Sequence, residues 1–373
     1  MRKHLSLVAA AATAAVFLAA SPAAVAAPAE NPPTTHANGL VSPLHVSAGR
    51  DGTLLVSEEF IGQLTQVKAD GTKAVLYSDA AWGVAGSVQR RSTTYFVESQ
   101  GAGPMDPRPL AGHIRTIAAD GTQATFGDLA ALETEQNADG DTRYGFEDLP
   151  DTCAAQLPPE VPASYTGTID SHPYGITMSG DTIYVADAGA NSVVAVDVDS
   201  GEAETVAVLP PRPYVITAEV ATTLQLPACI VGHSYAFEPV PTDVAVGPDG
   251  WLYVSVLPGG PEDPALGARG AVYRVDPDNG RVRLFADDVM SPTGLALDDD
   301  ANVYVASLFG EGVLRLGCSG DQDDRKVVLT GKLTADVAIR DSTLYATVDS
   351  LPAPNQAPDG KVVSVDLDAH SHR

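Results

Sequence analysis

The sequence predicts an all-β fold, a six-bladed β-propeller with two long, partly helical insertions. Three observations carry that expectation. One short unit recurs six times along the 373 residues, and the strands within it alternate apolar and polar positions. Glycine (34) and proline (28) are also abundant while only 19% of residues are charged, which favours many turns over long solvated helices.

The clearest copies begin at Pro173, Pro241 and Pro292. Each has a short strand, a Gly or Asp turn, and a second strand ending in an aromatic, a valine and a small residue, as in Tyr184-Val185-Ala186. A third, strictly alternating strand follows in each: Ser192 to Asp197, Ala271 to Val275, and Val313 to Leu316. Weaker copies begin at Pro43, at Trp82 and at Ala335. Groups of period-2 strands joined by Asp-Gly turns form antiparallel sheets with two apolar faces, and stacking about six around an axis buries both. The sixth copy ends too close to the C-terminus for a fourth strand. Thr34 to Ala37 is therefore expected to complete it and close the ring.

The insertions span 127–171 and 207–240. A short helix is expected from Gly127 to Glu133 and another from Thr217 to Thr223, within acidic and proline-rich loop. Loops of this length usually carry function or cover a site.

At the N-terminus, Arg2, Lys3 and His4 precede an apolar run and then Ala24-Val25-Ala26. That pattern predicts a signal peptide over 1–26 and one exported, secreted domain over 27–373, with no membrane span and a monomeric state. Three cysteines in an oxidising compartment leave one pair and a free thiol, or no pair. Cys153 and Cys229 are the expected disulfide because both lie in the proline-rich insertions, with Cys318 free in a turn. A net charge of −26 argues against nucleic acid and anionic membranes as partners.

The general repeat resembles those of NHL-type and gluconolactonase-type propellers. Leu129 to Glu133, Asn137 to Gly140, His172 to Gly175, Tyr184 to Asn191, Phe237 to Val244 and Ser255 to Pro261 resemble the ScyD/ScyE family of exported bacterial propellers. The resemblance implies six blades and a link to secondary-metabolite or envelope functions, and it brings no catalytic residues.

No nucleophile elbow, zincin helix, phosphate loop or haem motif is present. Attention therefore falls on the axis, where repeat alignment places His45, Glu58, Glu98, His172, Asp187, Asp243, Ser255, Thr293, Ser307, Asp336 and Asp349. Glu58, Glu98, Asp187, Asp243 and Asp336 are the candidate ligands of a hard cation such as calcium. Asp and Asn also cap turns in any propeller, and Ser255 and Ser307 stand where a lactonase-type site needs acids or amides. Asn137 to Asp141 resembles the start of a calcium loop, although Thr142 occupies the required glycine position and Asp148 the terminal acid. His172 and His233 are the candidate ligand-binding residues in the insertions.

Two functions are expected. The favoured one is a non-catalytic binding or scaffold protein that holds a protein, glycan or small metabolite at the insertion-covered face. The alternative is a metal-assisted hydrolase, lactonase-like enzyme or lyase at the channel mouth.

Overall fold

Period-2 alternation becomes strand nearly everywhere it occurs, giving seven four-stranded antiparallel sheets. The structure, a computed structural model, describes residues 32–103 and 105–368. The signal peptide expected over 1–26 and the histidines at 370 and 372 lie outside the described residues.

Six sheets follow the sequence copies. Their leading strands are Pro43–Ala48, Gly83–Arg90, Pro173–Ser179, Pro241–Val246, Pro292–Leu297 and Val337–Arg340. Each packs on the next in chain order, and the sixth packs back on the first. An apolar cluster fills every gap between neighbours: Leu55, Leu64 and Phe96 between the first and second sheets, for example, and Val272, Leu295 and Val305 between the fourth and fifth. Burying such a side chain contributes roughly 1.5–3 kcal/mol, so the ring is held by its gaps.

The sixth sheet is completed as its sequence expects. Thr34–Leu40 pairs antiparallel with Gly360–Asp366, from Thr34 opposite Ser364 to Leu40 opposite Gly360. The His36 imidazole shares a 2.8 Å hydrogen bond with Ser364 Oγ.

Bulges shape the ring's centre. In the first, third, fourth and fifth leading strands the pairing skips one residue after the initial proline, at Leu44, Tyr174, Thr242 and Thr293. Such a bulge re-aims the next side chain. That next residue is His45, Gly175, Asp243 or Gly294. The two glycines are required by close approach, since a Cβ on Gly175 would sit 2.5 Å from Asp243 Cα and one on Gly294 2.0 Å from Asp336 Oδ1. Sheets are also stitched by side chains: Asp243 Oδ2 accepts from Leu295 N at 2.8 Å, and Asp336 Oδ2 from Val46 N at 2.7 Å.

The seventh sheet departs from the loop expected in the insertions. Arg143–Phe146 and Ser164–Thr166 of the first insertion join Arg212–Val215 and Ser234–Phe237 of the second. Its edges are only three or four residues long, so neither two-stranded half has a legible repeat, and the pairing of Gly145 and Phe146 with Ala236 and Tyr235 joins the halves. Helices flank it: Leu129–Gln136, where Asp128 accepts from Ala131 N, and Ala218–Thr223, where Thr217 accepts from Val220 N. Phe146, Ile216, Val220, Ile230 and Tyr235 form its own buried cluster, closed on one side by Leu266. A disulfide joins Cys153 to Cys229, 76 residues apart, and Cys318 is free and exposed.

That cross-link gives a direct expectation. A loop of this length contributes about 4 kcal/mol in chain-entropy models. Replacing Cys153 and Cys229 together by serine should lower the melting temperature and open 143–166 to limited proteolysis first. Equal cleavage rates in the two proteins would show that the bond does not hold the seventh sheet.

Candidate functional site

Register fixes which end of the ring carries chemistry. Pro43 pairs with Glu58 and Pro173 with Asp187, so leading strands begin where second strands end. Both insertions enter leading strands at this end, at Pro173 and Pro241. We call it the mouth.

Inside the mouth, the bulges turn His45 and Asp243 toward Asp336. His45 is 3% exposed, its Nδ1 lies 3.6 Å from Asp336 Oδ2, and its Nε2 has no hydrogen-bond partner. Tyr174 reaches across from the third sheet, its ring 4.4 Å from that of His45 and 5.5 Å from that of His172. Tyr174 and Glu59 are close enough to act on each other electrostatically, and Glu59 Oε1 lies 3.7 Å from His172 Nε2. The side chain of His172 is 33% exposed, so this chain of groups runs from solvent to a buried pair of aspartates.

The electrostatics follow from that burial. Burial raises Asp243, and the neighbouring Asp336 adds to it, pushing its carboxyl up to about 8. Burial likewise raises Asp336, against the opposing pull of His45. For His45, burial alone would lower the pKa, but Asp336 and then Asp243 and Glu59 outweigh it and hold it above its ordinary value. Glu59 does the same for His172, again against burial. Tyr174 is raised by burial first and by Glu59, Asp336 and Asp243 after it. Such a group has proton donors and acceptors in contact and both histidines biased toward the charged form.

The other expected site residues lie elsewhere. Glu58 does not face the axis: its oxygens accept from Val41 N at 2.6 Å, Thr65 Oγ1 at 2.7 Å and Gln63 Nε2 at 2.9 Å. The strand ends at Glu58, and the tight helical turn Glu59–Ile61 carries the next acid inward instead. Glu98 is buried in the gap between the first and second sheets, where Tyr77 donates to it at 2.7 Å and Arg115 Nε lies 3.6 Å away. Asp187 accepts from Ser171 Oγ, His172 N and Ala190 N, so it holds the His172 backbone. His233 is half-exposed beside the seventh sheet and joins none of these contacts.

The five acids expected to hold an axial cation therefore separate into four places, only Asp243 and Asp336 staying together, and N–H and O–H donors occupy oxygens of each. Among the described residues no group of three or more His, Cys, Asp or Glu side chains is arranged to hold a metal ion. The axial donors do not fit one.

Two members of the site were missed from sequence. Glu59 was masked by its neighbour Glu58. Tyr174 carried a usable signal: it is a large aromatic where the aligned copies have Thr242 and Thr293.

No protein-family model and no curated protein matches the chain. Solved structures do. Regucalcin, a calcium-binding protein from Agrobacterium tumefaciens, is 13% identical with a TM-score of 0.52, over 90% of this chain and 94% of that one. A gluconolactonase from Xanthomonas campestris is 16% identical with a TM-score of 0.51, over 89% and 94%. A PQQ-bound aldose sugar dehydrogenase from Streptomyces coelicolor is 15% identical with a TM-score of 0.50, over 89% and 96%. At these identities the likeness establishes a β-propeller fold. The three differ in chemistry, so function has to be argued from this chain's own groups.

Proposed function

We propose that this is an exported six-bladed propeller of the ScyD/ScyE type, its seventh sheet a cover built from the two insertions, and that its mouth performs acid–base chemistry on a small metabolite. The reaction class is hydrolysis or elimination without a metal at the axis. One observation carries the reading: a part-exposed imidazole, His172, held beside the Glu59 carboxylate and continuous with Tyr174 and His45. His172 meets the substrate and gives or takes the proton. Glu59 orients the ring and favours its charged form, and Asp187 is a positioning residue acting through the His172 backbone.

A second reading, a non-catalytic binding protein for a metabolite, glycan or protein, is favoured by Tyr174. Its ring stands beside His45 near the axis, which leaves less depth for a substrate.

Proton release from a panel of lactones and aryl esters separates the two. Turnover should fall about 100-fold or more in His172→Ala and less in Glu59→Gln, with melting temperatures kept. Turnover unchanged by either substitution would sink the acid–base reading. No turnover across the panel, together with saturable binding of a metabolite that His172→Ala weakens, would favour the binding protein.

A further inference from the structure

Beneath the seventh sheet lies a group of acids that the mouth does not use. Helix Leu129–Gln136 ends at Asn137, which adopts a left-handed φ of 41° and turns the chain toward Asp139. Glu133 and Asp139 are 3% and 1% exposed. Asp187, Asp170 and Glu238 are close enough to act on them electrostatically: Asp187 and Asp139 on Glu133, Asp139 and Asp170 on Glu238. None of Glu133, Asp139, Asp170 and Glu238 pairs with a lysine or arginine among the described residues. Crowding buried carboxylates without a cation is unfavourable.

Hydrogen bonds account for only part of their capacity. Asp139 Oδ2 accepts from Tyr144 OH and Asn191 Nδ2, both at 2.8 Å, and Glu133 Oε2 from Ala138 N at 3.3 Å. The remaining oxygens, Glu133 Oε1, Asn137 Oδ1 and Asp139 Oδ1, are buried without any partner. Of fifteen such side-chain atoms among the described residues, these three fall within one stretch of seven. A buried acceptor left unpaired is destabilising, so three together call for a common partner.

We propose that Glu133, Asn137 and Asp139 bind a hard divalent cation of the calcium class through these three oxygens. Two carboxylates and an amide are a smaller acid set than a group of three acids, and calcium accepts amide and carbonyl oxygens alongside carboxylates. The site is not the twelve-residue loop suggested by Asn137 to Asp141. Asp141 and Asp148 are both exposed, and Glu133, upstream in the helix, takes the place of a downstream acid. A cation here ties the helix to the seventh sheet through Tyr144 and to the turn after Asp187 through Asn191.

The experiment is titration of the chelator-treated full chain with Ca²⁺ by calorimetry, and with Tb³⁺ by luminescence sensitised through Tyr144. One saturable site is expected, with Ca²⁺ displacing Tb³⁺. Glu133→Gln should weaken it about 10-fold or more, and Asp139→Asn likewise, while Asp243→Asn leaves it unchanged. Glu133→Gln keeps the Ala138 contact, so it tests the site even if Asp139→Asn fails to fold. Absence of Ca²⁺ heat and of sensitised emission in the unsubstituted chain would overturn the proposal. So would an affinity that Glu133→Gln leaves intact, or one that Asp243→Asn abolishes.

Discussion

Removing Thr34–Leu40 should lower the melting temperature by about 10 °C and leave a chain prone to self-association. The segment contributes the outer strand of the sixth sheet, and Leu40 and Ala37 sit in the cluster between that sheet and the first, at 1% and 7% exposure. Losing both returns their burial energy, a few kcal/mol, and each kcal/mol moves the melting point of a domain this large by roughly 2–4 °C. It also bares the backbone of Gly360–Asp366, a ready edge for another chain. Leu40→Ala separates packing from pairing: it keeps the ladder and should cost about 2–5 kcal/mol. A shortened chain that melts with the full one would mean the ring does not need this strand.

Stability should decline as pH rises from about 5 to 9, and Asp243→Asn should flatten the decline. Asp243 and Asp336 hold their protons above the ordinary carboxyl range, and His45 and His172 hold theirs above the ordinary histidine value. At these four groups the folded state thus binds more protons than the unfolded chain throughout this interval, and the lowered His36 and His113 oppose them only in part. The histidine contribution is fully present below the unfolded histidine value and is lost as pH passes the raised one. For the aspartates, a raised carboxyl opposes folding once the unfolded chain has ionised, and the penalty grows until Asp243 ionises near 8. Both effects have the same sign. Asn at 243 cannot ionise, but its amide cannot accept from both Leu295 N and Val244 N as the carboxylate does. The substituted protein should therefore be less stable at about pH 5 and lose less between pH 5 and 9. Parallel pH curves for the two proteins would remove Asp243 from the account.

How much was legible in the sequence depends on how local the signal is. Alternation and turn chemistry are local, so the ring strands and the closing strand at Thr34 could be read residue by residue. Helix starts were equally local, because Asp128 and Thr217 each supply a capping oxygen. The seventh sheet was not legible. Gly145 opposite Ala236 is a pairing between two insertions, and neither half has enough alternation to announce a strand. Site residues fell between these cases. His45, Asp243 and Asp336 were found because the repeat aligns them. Glu58 was chosen over Glu59 because alignment marks the strand's last residue and cannot show that the chain then turns inward through Glu59. Orphaned oxygens such as Glu133 Oε1 depend on packing and leave no trace in composition.

The seventh sheet also constrains the order of events as the chain folds. Its two halves bracket the whole third sheet, from Pro173 to Val208, so Phe146 and Tyr235 meet at least entropic cost once that intervening unit has condensed. Loop-closure entropy is then small, because a folded sheet spans the gap that a loose coil would otherwise have to close. The seventh sheet is thus favoured as a late structure, complete only when the second insertion arrives. A nascent chain ending before Ser234 carries Arg143–Phe146 without the strand that joins it to the second insertion.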